Sequence, residues 1–221
     1  MNILFCLYSA YFSEEIPVYG NNFWIFVRLP FADNYSYFYT TKIIAAMEKH
    51  GYEKIEPKII DGNLIKLISD DWMLVTAGDE EKFNTMTANW GGVGYLWNRP
   101  VAFVFIRPER YTFEFVEKYE NFTLTFFDEK YRKALNICGT KSGRDCNKVA
   151  EASLTACFTD SGNPAFTQAG LVIECKKLYA GMLSEEFFLD RDIFDTVYGK
   201  KGNVHKLYIA EMTGVWKKTN L

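Results

Sequence analysis

Amides, hydroxyls and glycines crowd one short run of this chain, Asn84-Thr85-Met86-Thr87-Ala88-Asn89-Trp90-Gly91-Gly92. Threonine and asparagine side chains offer both donors and acceptors, and glycine lets a backbone come within contact distance of a ligand. Such a run suits a flat heterocycle with an imide edge; a tight hairpin decorated with capping side chains uses the same residues. Two guanidiniums and a hydroxyl follow in Arg107-Pro108-Glu109-Arg110-Tyr111-Thr112. A cationic turn that opens a helix is suited to an anion, although the arginines could equally pair with Glu109 or Glu114. A second cationic loop, Lys141-Ser142-Gly143-Arg144, reads alone as a solvated turn. It is not a nucleotide P-loop, because Leu135 and Thr140 stand where that pattern needs glycines. Two cationic loops flanking a polar, glycine-rich segment make a shared phosphate site more credible than either does singly.

Other chemistry is poorly supplied. The chain has no Ser-His-Asp signature, no paired acids at a telling spacing and no G-x-G-x-x-G after a strand. Its five cysteines, at 6, 138, 146, 157 and 175, include no C-x-x-C pair, and there are two histidines. Neither a zinc site, a disulfide framework nor a thiol nucleophile is supported, and reduced thiols in a cytoplasmic setting are expected. His205 lies among apolar residues, as a structural histidine or a proton relay beside a redox centre.

The stretch from Trp72 to Thr112 must hold these groups. Strands are expected at Leu64–Ile68, Trp72–Thr76, Val101–Ile106 and Phe122–Phe126, with turns at Ser69–Asp71 and Gly78–Glu81. Pro100 suits a strand start, where a missing N–H costs least. Helical spacing marks Tyr111–Glu120, and Asp128 is expected to cap a helix over Glu129–Ile137 that Gly139 stops. A short helix around Lys148–Ala152, a loop over 159–164, a long strand over Leu171–Ala180, helical pieces over 184–197 and a strand pair over His205–Trp216 complete the pattern. Six or seven strands with irregular helices point to an α+β or β-barrel protein rather than alternating βαβ units.

Residues 1–46 differ from the rest. Asn2–Phe12 is too short to span a bilayer and lacks the basic lead and cleavage pattern of a signal peptide. Pro17–Tyr39 is aromatic without clean periodicity, and Thr40–His50 is expected to form a short helix closed by Gly51. Met47 precedes an ordinary charged opening, so residues 1–46 are expected to be an atypical extension, upstream of a natural start at Met47, with the main domain at 47–221.

With 221 residues, 48% hydrophobic and 24% charged, the chain can build a full core. Aromatics at 17% favour a β-rich fold. A formal charge of −3 argues against a sequence-independent nucleic-acid binder, and neither nucleic acid nor membrane is an expected partner.

The motifs N-T-M-T-A-N-W-G-G (84–92), R-P-E-R-Y-T (107–112), F-T-L-T-F-F (122–127) and C-G-T-K-S-G-R-D (138–145) together resemble the flavin reductase-like, FMN-binding split-barrel family, flavoredoxin-like members in particular. The resemblance implies a mainly β fold, a six-stranded antiparallel Greek-key split barrel with helices, forming a homodimer with FMN near the interface. It implies that Asn84, Thr85, Met86, Thr87, Ala88, Asn89 and Trp90 line the isoalloxazine and ribityl chain. By the same likeness, Arg107, Arg110, Thr112 and Lys141 contact the phosphate, with Ser142 and Arg144 in the same loop. The implied activity is hydride transfer from NADH or NADPH to FMN and electron delivery to a small-molecule or protein acceptor, with no catalytic side chain and no metal. An FMN electron carrier that serves a protein partner is the alternative.

Overall fold

A computed structural model describes residues 24–28, 38–42, 46–199 and 202–219. Two compact units result, Met1–Ile44 and Ala45–Leu221. In the first, strands β1 (Trp24–Arg28) and β2 (Phe38–Lys42) pair antiparallel. The expected helix over Thr40–His50 does not form as one piece. Thr40 and Thr41 belong to β2 instead. Glu48–His50 makes a single 3-10 turn, closed by Gly51 at φ 74°. The apolar run at Asn2–Phe12 and most of Pro17–Tyr39 lie outside the described residues.

The second unit is built on an antiparallel sheet of eight strands. They are β3 (Tyr52–Lys54), β4 (Met73–Gly78), β5 (Phe83–Ala88), β6 (Gly91–Leu96), β7 (Arg99–Ile106), β8 (Asn121–Phe126), β11 (Leu171–Met182) and β12 (Lys206–Lys218). The pair β9 (Ala156–Phe158) and β10 (Pro164–Phe166) forms a separate ribbon. Sheet order is β5-β4-β8-β11-β12-β7-β6, with β3 added to the end of β12. The count is therefore eight rather than six. The expected final strand pair is one strand, β12, long enough to pair with β11, β7 and β3 in turn.

Strands β5 and β6 stand at opposite ends of that order, yet only Asn89 and Trp90 separate them in the chain. Two residues cannot span an open sheet of seven strands, so the sheet must curl until its two edges meet at this dipeptide. The alternation of side chains agrees. Met73, Val75 and Ala77 of β4, Met86 and Ala88 of β5, Ala102 and Val104 of β7 and Tyr208 and Ala210 of β12 share one core. Leu74, Val172 and Trp216 point the other way into a second core with Leu135, Cys138 and Phe166. One face thus fills the curled sheet and the other packs under the helices and the small ribbon.

Glycines let the edge strand lie flat on its neighbour. A Cβ on Gly91 would stand 2.6 Å from the Phe103 carbonyl oxygen. The β6–β7 hairpin turns through Trp97 and Asn98, at φ 52° and 58°, the left-handed pair that matches strand twist.

Helices are α1 (Leu64–Lys66), α2 (Tyr111–Lys118), α3 (Arg132–Thr140), α4 (Lys148–Glu151) and α5 (Arg191–Val197). The strand expected at Leu64–Ile68 is helical instead. Asn63 caps it by accepting from Lys66 N at 3.0 Å, and a π-type turn follows over Leu67–Asp71. Leu64, Leu67 and Ile68 have the i, i+3, i+4 spacing of one helical face, which outweighs the short apolar run. Asp128 makes no capping bond through its side chain; a 3-10 turn over Glu129–Tyr131 precedes α3. Gly139 lies inside α3 rather than ending it, and a Cβ there would press on Thr87 Cβ at 3.2 Å.

Candidate functional site

Strand β5 forms the wall of the site. Its polar side chains are mostly turned into the protein. Asn84 is buried and donates from Nδ2 to Thr112 Oγ1 at 2.7 Å. Thr85 and Thr76 share a hydroxyl contact of 2.8 Å across the β4–β5 ladder, so Thr85 has a structural duty as well. Thr87 donates to the Leu135 carbonyl, tying β5 to α3. Met86 and Ala88 belong to the core.

Beside this wall lies a cavity of about 320 Å³ that gathers most of the expected phosphate contacts. Arg110 and Thr112 enter from the start of α2, Lys141 and Ser142 from the loop after α3, and Lys148 from α4. Arg110 spends one N–H on the Gly139 carbonyl at 3.3 Å, leaving the rest of its fork free for an anion. Thr112 Oγ1 accepts from Asn84, so its own proton is available to donate. Lys141 is paired with Glu151, whose hydrogen bond and charge hold the ammonium pKa above its ordinary value. Gly143 is where the cationic loop meets the wall: a Cβ there would stand 2.0 Å from Asn84 Oδ1.

Lys148 is the residue that sequence reasoning missed. It is 5% exposed and donates to the carbonyls of Thr85 and Cys138. Asn147 caps α4 by accepting from Ala150 N at 3.1 Å, which turns the first helical residue inward. A lysine directly after an asparagine cap and before Val149-Ala150 was the available signal.

Two arginines lie elsewhere. Arg144 pairs with Glu114 and lies 4.7 Å from the centre of the Tyr111 ring, beside a neighbouring cavity of about 650 Å³. Arg107 does not line the 320 Å³ cavity. It donates to the Val197 carbonyl at 3.3 Å, stands 4.0 Å from Glu109 and lies 5.5 Å from the centre of the Tyr198 ring.

A third locus forms where the sheet edges meet. Trp90 is half exposed, and its ring centre is 5.1 Å from that of His205. Neighbouring Asn89 is exposed. His205 is buried, and its Nδ1 is hydrogen-bonded to the Tyr198 hydroxyl at 2.9 Å. Burial, helped by the positive charges of Arg107 and Arg110, lowers the imidazole pKa to about 4, so the ring is neutral at pH 7. Cys138, Cys146, Cys157 and Cys175 are free thiols; Cys6 lies outside the described residues. Burial pushes Cys138 and Cys157 up to about 11, which leaves them un-ionised and poor nucleophiles. No described helix is long and apolar enough to cross a membrane.

The model of the flavin reductase-like domain matches residues 66–221, which include β5, the cavity and the Trp90–His205 contact. The chain belongs to the flavin reductase-like family. No curated protein matches it. Solved structures with a similar fold include an FMN-binding protein from Thermus thermophilus with bound p-hydroxybenzaldehyde, at 21% identity and TM-score 0.53, covering 68% of this chain and 73% of that one. Flavoredoxin from Methanosarcina acetivorans is similar at 18% identity and TM-score 0.51, with 66% and 68% covered. An NADH:FAD oxidoreductase of Streptomyces globisporus is similar at 14% identity and TM-score 0.50, with 66% and 75% covered.

Proposed function

We propose that the chain is an FMN-binding flavoprotein, a flavin reductase that takes a hydride from NADH or NADPH and passes electrons to an acceptor. One observation carries the reading: Arg110, Thr112, Lys141, Ser142 and Lys148 converge on one cavity, and Thr112 ties it to Asn84, which with Thr85 lines the neighbouring cavity. These five residues offer N–H and O–H donors, three of them cationic, and suit a phosphate monoester; Glu109 also borders the cavity, with its carboxylate engaged by Asn203 and Arg107. Asn89 and Trp90, at the meeting of the sheet edges, offer a polar and aromatic face for a planar ring. Bound flavin supplies the hydride and electron chemistry. The chain's residues hold the phosphate, keep the flavin's orientation and present a neutral imidazole beside Trp90. We assign no acid–base role to a side chain. A homodimer that completes the site and a Greek-key split barrel belong to the same reading, as does the carry-over of the main domain to residues 47–221.

The test is spectral. Purified protein is expected to retain or take up FMN and to be bleached anaerobically by NADH or NADPH. Bound flavin that ignores both nicotinamides would favour the electron carrier instead. A colourless protein that takes up no added FMN would remove both readings.

Arg107 and Arg110 separate in this account. Arg110→Ala is expected to weaken FMN binding by about 1.5 kcal/mol, the low end for a charge-assisted contact because the side chain is exposed. Arg107→Ala, which loses ties to Val197 and Tyr198, is expected to leave FMN affinity nearly unchanged. Equal losses in a fluorescence titration of both variants would place Arg107 in the phosphate site after all.

A further inference from the structure

The segment between β11 and β12 is a strap with two unlike faces. Phe188, Phe194 and Tyr198 turn inward, with the Phe188 ring centre 5.3 Å from that of Phe194 and 5.8 Å from that of Tyr198. Leu183 N donates to the His205 carbonyl at 3.0 Å, and the Val197 carbonyl accepts from Arg107 at 3.3 Å, so the strap is tied down at both ends. Tyr198 reaches the His205 ring, which lies against Trp90. The backbone at Phe188 is extended, at φ −77° and ψ 104°, so turning its ring inward sends its neighbours outward. Phe187 is 77% exposed, Leu189 99% and Ile193 of α5 50%. Single exposed apolar residues are ordinary, but three within one short anchored strap are a face left for a partner to cover.

Charge decides which partner. From Glu185 to Asp195 the chain carries five carboxylates, Glu185, Glu186, Asp190, Asp192 and Asp195, against the one guanidinium of Arg191. This short run is therefore more negative than the whole chain, whose formal charge is −3. All six side chains are exposed, and Arg191 is paired with Glu185 at 2.6 Å. Asp190 caps α5 by accepting from Asp192 N at 3.0 Å. Among the described residues, no ion pair includes Glu186, Asp190, Asp192 or Asp195. A two-fold contact between copies of this chain would set the face against itself, carboxylates opposite carboxylates. A basic partner meets attraction instead.

We infer that this strap is the docking surface for a partner protein with a basic rim around an apolar centre. Phe187, Leu189 and Ile193 supply the contact, and the carboxylates around them steer and orient the encounter. Because the inner face of the same strap holds His205 against Trp90, a docked partner stands beside the proposed flavin face. That last step alone rests on the flavin reading, and it makes the partner the electron acceptor.

The surface is separate from the cofactor, so the test uses the protein without flavin. Ferricytochrome c, a small basic redox protein whose haem edge is ringed by lysines, is the probe, titrated by calorimetry. Its binding is expected to weaken at least tenfold between about 20 mM and about 150 mM salt. Asp190→Asn/Asp192→Asn/Asp195→Asn keeps a capping side chain, and Phe187→Ser/Leu189→Ser changes no charge; each is expected to weaken binding about fivefold or more. The same number of charges removed elsewhere, in Glu53→Gln/Glu56→Gln/Glu80→Gln, is expected to change it by less than about twofold. Absence of binding, equal losses from the two charge-removing triples, or full affinity in the serine variant would each overturn the inference. A serine variant that dissociates a dimer in sedimentation would overturn it as well, by assigning the face to a second copy. Probe binding by a protein that takes up no FMN would uphold the surface and remove the flavin reading. FMN uptake and bleaching with no probe bound would do the reverse.

Discussion

Replacing Gly143 with alanine is expected to cost about 2–3 kcal/mol of stability and to weaken FMN binding by more than about tenfold. The backbone at Gly143 is outside the left-handed region, so alanine is acceptable there conformationally. The cost is contact. A Cβ would stand 2.0 Å from Asn84 Oδ1 and 3.1 Å from Tyr111 Cδ1. A flexible surface side chain would swing aside, but Asn84 is buried and bound to Thr112 at 2.7 Å. Either the carboxamide leaves Thr112, stranding a buried hydroxyl, or the loop carrying Lys141 and Ser142 lifts off the wall. Both outcomes loosen the cavity that Arg110, Thr112 and Lys141 share. A double-mutant cycle with Asn84→Ala isolates the effect. Removing the carboxamide should make room for the new methyl, so the double variant should be more stable than the sum of the singles by about 1 kcal/mol or more. Strict additivity in urea unfolding, or full FMN affinity in Gly143→Ala, would show that the loop is not seated on Asn84.

That contact also marks how far the sequence was legible. The polar run at Asn84–Trp90 and the two cationic loops were visible as types of residue, and the family's motifs tied them to a flavin. Sequence could not say which side chains face the cavity. Threonines at 85 and 87 have the chemistry of ligand contacts, yet the β5 pleat and the approach of α3 spend their hydroxyls on Thr76 and Leu135. Arg107 and Arg110 are three apart, close enough to read as a pair. A turn bonds Arg110 N to the Arg107 carbonyl at 3.1 Å, yet Arg110 lines the cavity while Arg107 is engaged by Val197 and Tyr198. Lys148 was passed over because lysine in a short helix is ordinarily solvated. Its burial depends on α3 and on β5, the latter 63 residues away at the Thr85 contact. The Leu64–Ile68 run failed for a simpler reason: an apolar stretch of five residues reads equally as strand or helix until its cap is known.

His205 gives the second large effect, and its sign follows from its surroundings. Its pKa lies at about 4 in the folded protein, below the ordinary 6.5, because of burial first and the charges of Arg107 and Arg110 second. Between those two values the unfolded chain holds the proton and the folded protein does not. Stability must therefore rise with pH across this window, and it is lost as pH falls from about 6.5 to about 4. The full shift corresponds to roughly 3 kcal/mol, and solvent reaching the ring edge reduces this to about 2 kcal/mol. Other titrating groups add their own slopes, so the comparison is with His205→Gln. Glutamine keeps a polar partner for the Tyr198 hydroxyl but takes up no proton. Urea midpoints measured from pH 7 to pH 4 are expected to fall more steeply in the wild-type protein than in His205→Gln. Trp90 reports the same event from the other side of the contact. An imidazolium quenches a neighbouring indole, so the fluorescence difference between the wild-type protein and Trp90→Phe should drop with a midpoint near pH 4. Parallel stability profiles together with a Trp90 midpoint near 6.5 would mean that the ring titrates as if in water. The neutral imidazole beside the proposed flavin face would then have to be given up.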